Sequence, residues 1–182
     1  MSERTPVLVL GLGNAICGDD GAGIAAVHQL LREWELPEGV LAVDGGTLGL
    51  SLLPLVDSAD QVILIDAIRA DGPVGSMVRI DGDEVAPAVY ERLSVHQIGV
   101  ADLLNGATLL DRYPTRVVLI GVVPATTDLG LGCTDAVAAR IPQLVAEVVE
   151  ELVALGYPPR PRRGTVDDPP VAGDPGARAL GL

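Results

Sequence analysis

The sequence predicts an α/β fold, a three-layer sandwich in which helices flank a mostly parallel, twisted, five-stranded sheet. Short unbroken apolar runs alternate along the chain with longer segments that carry apolar residues at helical spacing. Unbroken apolar runs are typical of strands that are covered on both faces, as in a parallel sheet. Their alternation with helical segments indicates a doubly wound arrangement.

Four of the five predicted strands are buried, and they cover residues 7–10, 39–43, 62–65 and 116–123. Residues 75–80 alternate between apolar and polar side chains and include Arg79, so we predict an antiparallel edge strand there. The predicted helices cover residues 20–35, 48–57, 84–93, 97–110 and 134–155, and Gly156 and Pro158 end the last one.

Residues 1–156 are predicted to form one domain, and residues 157–182 a Pro/Gly-rich tail. A chain of 182 residues is long enough for a substantial core. The tail contains six prolines and four glycines and little from which a core could be built. Such a composition is typical of a disordered segment.

The composition favours a cytoplasmic protein that binds neither nucleic acid nor membranes. No apolar run approaches the roughly 20 residues of a membrane span, and the N-terminus shows no secretory signal. The net charge of −13 opposes contact with nucleic acid or anionic lipid. We expect a monomer.

Residues 7–23 form a strand, a glycine-rich turn and the start of a helix, which is the usual layout of a phosphate-binding site. A G-x-G-x-x-G fingerprint that starts at Gly11 needs a small residue where Ile16 stands, and the carboxylates of Asp19 and Asp20 would repel a pyrophosphate. A helix cap explains one of these aspartates only. Because Asp44 lies at a plausible distance for a ribose-binding acid, a nucleotide-binding module or dehydrogenase remains an alternative.

Several acidic residues follow the predicted strands, where ligands of doubly wound sheets bind. The loop 11–20, the loop 44–47 and Asp66 should therefore share one edge of the sheet. Together with His96, Asp20 and Asp66 make a ligand set of two carboxylates and an imidazole, which suits Zn²⁺ or Ni²⁺ and leaves a position open for water or substrate. Structural explanations also exist: a helix cap for Asp20, a strand-end hydrogen bond for Asp66 and a surface position for His96.

Five motifs, taken in this order, resemble the [NiFe]-hydrogenase maturation proteases, endopeptidases that remove a C-terminal extension from the hydrogenase large subunit. The resemblance covers residues 6–156. The motifs are GLGNAICGDDGAG at 11–23, DGGT at 44–47, LIDA at 64–67, SVHQIGVADLL at 94–104 and LIGVVP at 119–124.

The resemblance implies that Asp20, Asp66 and His96 are the catalytic, metal-binding residues; the first of them is Glu in some members. The implied partner is a hydrogenase large-subunit precursor, which the family processes after nickel insertion. The resemblance leaves open whether the bound ion is the nickel of the substrate or another divalent metal such as zinc. The segment implied to recognise the substrate comprises Asp44, Gly45, Gly46 and Thr47.

The mechanistic hypothesis is metal-assisted hydrolysis, in which an ion at the three ligands polarises the scissile carbonyl or activates a water. Asp19 is the hypothesised proton-transfer group. A cysteine peptidase that uses Cys17 and His96 is a second hypothesis, although Cys17 is better explained as a small loop residue. A third is a non-catalytic chaperone that grips the nickel-loaded precursor.

Overall fold

The computed structural model of the chain describes residues 5–85, 98–110 and 113–162. The strands are β1 (Thr5–Leu12), β2 (Trp34–Glu35), β3 (Val40–Gly46), β4 (Ala59–Ala67), β5 (Met77–Asp81), β6 (Arg116–Val122) and β7 (Arg160–Pro161). The α-helices are α1 (Ala22–Glu33), α2 (Leu53–Ser58), α3 (Ile98–Leu109), α4 (Asp135–Ala138) and α5 (Ile141–Ala154). Short 3-10 turns cover Gly18–Gly21, Gly49–Leu52 and Gly82–Glu84.

The main sheet has five strands in the order β3-β1-β4-β6-β5. β1 pairs in parallel with both β3 and β4, and β4 pairs in parallel with β6. β5 lies at one edge and runs antiparallel to β6. The predicted α/β fold class, with its antiparallel edge strand, is confirmed.

The core consists of two apolar layers, one on each face of the sheet. Along β1, Leu8 and Leu10 belong to one layer, and Val7 and Val9 belong to the other. The first layer includes side chains of α2 and α3, and the second includes side chains of α1 and α5. Because successive side chains of a strand point to opposite faces, a strand between two layers needs apolar residues at every position.

The C-terminal helical region differs from the single helix predicted over 134–155. It consists of two helices, α4 and α5, with Ala139 and Arg140 between them. Pro142 lies in the first turn of α5, where its missing N–H costs no hydrogen bond. In the interior of one continuous helix the same proline would remove a backbone hydrogen bond and clash with the preceding turn. The prediction of a single helix is therefore wrong.

The segment that follows α5 returns to the body of the domain. β7 pairs with β2 in antiparallel orientation, and Arg162 N donates a hydrogen bond of 2.7 Å to Glu33 O. Residues 157–162, assigned by the sequence to the tail, are thus in contact with the domain. The predicted helix over 84–93 lies almost wholly outside the described residues, as does the tail from residue 163.

A charged cluster fastens β5 to the sheet and to α5. Glu151 is buried in α5, and it accepts hydrogen bonds from Arg79 Nη2 at 2.7 Å and from Arg116 Nε at 2.9 Å. Arg79 also pairs with Asp81 at 2.8 Å. The hydrogen bonds to Asp81 and Glu151 outweigh the effect of burial and raise the pKa of Arg79. Its charge therefore persists at every pH at which the protein is folded.

No helix in the described part of the chain is long and apolar enough to cross a membrane.

Candidate functional site

Three segments meet at the carboxyl edge of the sheet, as the sequence predicted. Gly11 of β1 pairs with Asp44 on one side and with Ile65 on the other. Beyond that pair, Gly13 N donates a hydrogen bond of 3.1 Å to Gly46 O. The opening turn, the loop 44–47 and the end of β4 thus lie side by side.

Gly13 marks the point at which Asp20 and Asp66 approach each other. Its φ is +117°, and a Cβ at this position would overlap the carbonyl oxygen of Asp20. The same Cβ would lie 3.6 Å from Oδ1 of Asp66. A residue with a side chain would therefore displace the turn against Asp20, which explains the glycine.

Both of these aspartates are buried, with 1% of Asp20 and 5% of Asp66 exposed. Asn14 N donates a hydrogen bond of 2.9 Å to Oδ2 of Asp20, and Ala67 N donates one of 2.7 Å to Oδ1 of Asp66. Backbone donors stabilise the ionised form of a carboxylate and fix its orientation. In a nucleotide site an N–H group of this turn would bind phosphate, whereas here the N–H of Asn14 binds Asp20.

Asp19 has a different role from its neighbour. It is fully buried, and its carboxylate accepts hydrogen bonds from Thr134 N at 2.6 Å, Ala125 N at 2.7 Å and Thr134 Oγ1 at 2.9 Å. These donors lie in the segment between β6 and α4. Asp19 therefore anchors this segment to the opening turn, and its oxygens are engaged by the fold. This explains the second aspartate, and it leaves the hypothesis of proton transfer by Asp19 without geometric support.

Backbone contacts reinforce the anchor. Gly18 N donates to Gly130 O at 2.8 Å, and Gly130 N donates to Ile16 O at 3.0 Å. Cys17, which lies between Ile16 and Gly18, is buried, and Cys133 is half-buried. Burial, together with the negative charge of Asp19, raises the pKa of the Cys133 thiol. A raised pKa disfavours the thiolate, which is the nucleophilic form of a cysteine.

His28 and Asp44 form a contact that the sequence did not signal. His28 Nε2 lies 2.8 Å from Oδ2 of Asp44, and it connects α1 to the end of β3. The two residues are 16 positions apart on different elements, so no short motif contains both. This contact orients the first residue of the segment 44–47, which the sequence resemblance assigns to substrate recognition.

The described residues contain no group of three or more His, Cys, Asp or Glu side chains that could hold a metal ion. Asp20 and Asp66 lie at the predicted site, but the third predicted ligand, His96, falls outside the described residues. The predicted ligand set therefore stays a prediction.

The relatives of the chain identify its family. A family model described as hydrogenase maturation protease matches residues 24–151. The chain belongs to the hydrogenase maturation proteases. The hydrogenase expression/formation protein HupD of Thiocapsa roseopersicina is 36% identical over 172 residues, which cover 93% of this chain and 78% of HupD. The hydrogenase 2 maturation protease of Escherichia coli K12 is 33% identical over 162 residues, which cover 88% of this chain and 99% of that protein.

The fold of this maturation protease also matches a solved relative. The structure of the hydrogenase maturating endopeptidase HybD from Escherichia coli aligns with a TM-score of 0.83 at 32% sequence identity. The alignment covers 86% of this chain and 98% of the HybD chain. The family and fold that the five motifs predicted are confirmed, and the protein is a peptidase. The alternative of a nucleotide-binding module or dehydrogenase is thereby set aside.

Proposed function

We propose that this maturation protease removes the C-terminal extension of a [NiFe]-hydrogenase large-subunit precursor after nickel insertion, with Asp20, Asp66 and His96 as the ligands of a divalent metal ion. The observation that carries the proposal is that two buried aspartates adjoin Gly13 at the carboxyl edge of the sheet: the main-chain carbonyl of Asp20 and Oδ1 of Asp66 both lie next to this glycine. Buried carboxylates are costly unless they are paired, hydrogen-bonded or bound to a metal.

The chemistry of these residues fits such an ion. Two carboxylates and one imidazole suit a borderline divalent cation such as Ni²⁺ or Zn²⁺ and leave coordination positions for a substrate group or water. Asn14 N and Ala67 N each donate a hydrogen bond to one oxygen of these carboxylates and so fix their orientation. When bound, the ion would act as a Lewis acid on the scissile carbonyl.

The protein itself supplies position and orientation. The backbone donors hold Asp20 and Asp66 in fixed directions at the rim of the turn, and the hydrogen bond between Gly13 N and Gly46 O keeps the segment 44–47 beside them. The contact with His28 holds Asp44 in place. A peptide that lay along this rim would meet the segment 44–47 and the two aspartates together, and its scissile bond would then lie near the proposed ligands.

The decisive experiment is a cleavage assay on the nickel-loaded precursor, with the mass of its C-terminus as the readout. Asp66→Ala, Asp66→Asn and His96→Ala should each abolish processing. The matched control is Asp135→Asn, which removes the same charge from an exposed residue of α4, and it should process at the wild-type rate. Undiminished processing by Asp66→Asn or His96→Ala would overturn the proposed ligand set. Precursor that is bound but never shortened by the wild-type protein would favour the chaperone hypothesis.

Two further arms identify the source of the metal. Protease treated with a chelator, then freed of it, is mixed with nickel-loaded precursor; cleavage at the normal rate shows that the substrate supplies the ion. Precursor that lacks nickel is mixed with protease that has been incubated with Zn²⁺ or Ni²⁺; cleavage there shows an ion that belongs to the protease. We expect the first result and not the second.

A further inference from the structure

A cavity of about 280 Å³ lies beside the candidate site. Its lining consists of Arg69, Ala70 and the segment 123–127. Asp66 and Ala67 of β4 pair with Gly121 and Val122 of β6, so the lining residues follow directly after that pair on both strands. The cavity therefore opens at the same edge of the sheet as Asp66, on the side of β6.

Among the described residues that line this cavity, Arg69 is the only charged one. Its Nη2 donates a hydrogen bond of 3.4 Å to Thr127 Oγ1, and none of the ion pairs within the described residues involves it. In contrast, Arg79 and Arg116 are both paired with Glu151. Arg69 is exposed and lines the cavity, and a hydroxyl is its one hydrogen-bond partner in the described structure.

The part of the lining that residues 123–127 contribute is held in place by the fold. Ala125 N donates to Asp19, and Val123 exchanges two backbone hydrogen bonds of 2.9 Å with Gly75 and Ser76. A wall that is fixed before binding loses little conformational entropy when a ligand arrives. The wall also contributes apolar surface from Val123, Pro124 and Ala125.

The surroundings of Arg69 define the ligand. The carboxyl edge carries Asp20, Asp44 and Asp66, and the chain as a whole has a net charge of −13. A peptide carboxylate would be repelled from most of this edge and attracted at Arg69. A guanidinium binds a carboxylate through two parallel hydrogen bonds. The volume lies just below the roughly 300–1,000 Å³ of small-molecule sites, which suits one side chain or a chain end.

We propose that Arg69 is a specificity-determining residue that binds a carboxylate of the precursor's C-terminal extension. The aliphatic part of the extension residue that carries this carboxylate packs on residues 123–125. This inference rests on the proposed function. The carboxylate belongs either to an acidic side chain of the extension or to its terminal residue. Arg69 positions the extension and takes no part in bond cleavage, so it acts on KM and not on kcat.

The test compares Arg69→Ala, Arg69→Glu and Arg69→Lys in steady-state cleavage of the nickel-loaded precursor. Removal of a charge-assisted hydrogen-bond pair should raise KM about tenfold for Arg69→Ala with an unchanged kcat. Arg69→Glu should raise KM further, and Arg69→Lys should restore part of the loss. Arg32→Ala is the matched control, because Arg32 is exposed in the last turn of α1, away from the end at which that helix meets the opening turn.

Variants of the precursor identify the carboxylate. Each Asp or Glu of the extension is changed to Asn or Gln, and a short Gly-Ser segment is appended in a separate variant to displace the terminal carboxylate. The change that raises KM for the wild-type protease, but has no additional effect with Arg69→Ala, marks the bound group. A wild-type KM for Arg69→Ala and Arg69→Glu would overturn the inference while leaving the proposed function intact.

A binding measurement keeps the inference independent of cleavage. A synthetic peptide with the sequence of the extension is titrated into the full-length wild-type protein and into Arg69→Ala by calorimetry. We expect about tenfold weaker binding to the variant. Equal affinity for the two proteins would overturn the role of Arg69, even if the wild-type protein cleaved no precursor. If the affinities differ but the wild-type protein cleaves no precursor, the result counts against the proposed function alone.

Discussion

Replacement of Asp19 by alanine should destabilise the domain strongly, because it leaves four donors in the segment between β6 and α4 without an acceptor. The three closest donors are Thr134 N, Ala125 N and Thr134 Oγ1, at 2.6, 2.7 and 2.9 Å from a carboxylate that is fully buried, and Thr126 N lies at 3.4 Å. A fully buried donor without a partner costs about 1–3 kcal/mol, and these donors are part-buried, with Ala125 itself exposed. With partial relaxation of the segment towards water, we expect a loss of about 3–5 kcal/mol, a large part of the roughly 5–15 kcal/mol by which domains are stable.

Urea unfolding, monitored by the fluorescence of the single tryptophan, Trp34, measures this loss. Asp19→Asn keeps the shape but offers a single acceptor oxygen and turns an amide N–H towards a backbone donor, so we expect a loss of about 2 kcal/mol. Asp128→Ala is the control, since this aspartate of the same segment is exposed and should cost under about 1 kcal/mol. Hydrogen exchange at Ala125 and Thr134 detects release confined to the segment. A loss below about 1 kcal/mol for Asp19→Ala, with unchanged exchange at both amides, would refute the reasoning.

Three further predictions concern the core and the opening turn. Glu151→Ala should cost about 2 kcal/mol in urea unfolding, because it leaves two half-exposed arginines without their buried partner. Burial raises the pKa of Glu147 in the folded state, so folding penalises the ionised form of this side chain. Glu147→Gln should therefore stabilise the protein by less than about 1 kcal/mol at pH 7, and not at all below about pH 4, where Glu147 is protonated in both states. Cys17→Ser should process the precursor at close to the wild-type rate, because Cys17 is a buried loop residue.

A specific result would contradict each of these three predictions. Glu150→Gln is the control for both glutamates, because Glu150 is exposed on the same helix, and an equal effect at Glu150 would show that net charge and not position is responsible. For Glu147→Gln, a stability gain that persists at pH 3 would exclude ionisation as its cause. Loss of processing by a folded Cys17→Ser variant would return the cysteine-peptidase hypothesis to consideration.

The arrangement of the sheet could be predicted because its causes are local or general. Val62–Ile65 is apolar at every position because β4 lies between two core layers, and the place of Asp66 followed from the rule that parallel strands present their carboxyl ends together. The break before α5 also had a local signal. Pro142 is visible in the sequence, and a proline is tolerated in the first turn of a helix but not in its interior.

The contacts of Asp19 could not be predicted in the same way. Its partners Ala125 and Thr134 are 106 and 115 residues away, and the carboxylate meets them only after the turn and β6 have come together. The pairing of His28 with Asp44 has the same origin, because it depends on how α1 packs against β3. For His96 the prediction remains one of sequence resemblance, to be decided by the cleavage assay.

The charged cluster that fastens β5 to the sheet also affects how the edge of the sheet can pair with other strands. An outermost strand offers unpaired backbone groups to any strand of another molecule, and short, charged edge strands discourage such pairing. β5 has five residues, and two of them are Arg79 and Asp81, held in place by their mutual ion pair and by Glu151. The charged side chains of this strand, fixed by Glu151, therefore make the β5 edge a poor template for pairing with a strand of another molecule.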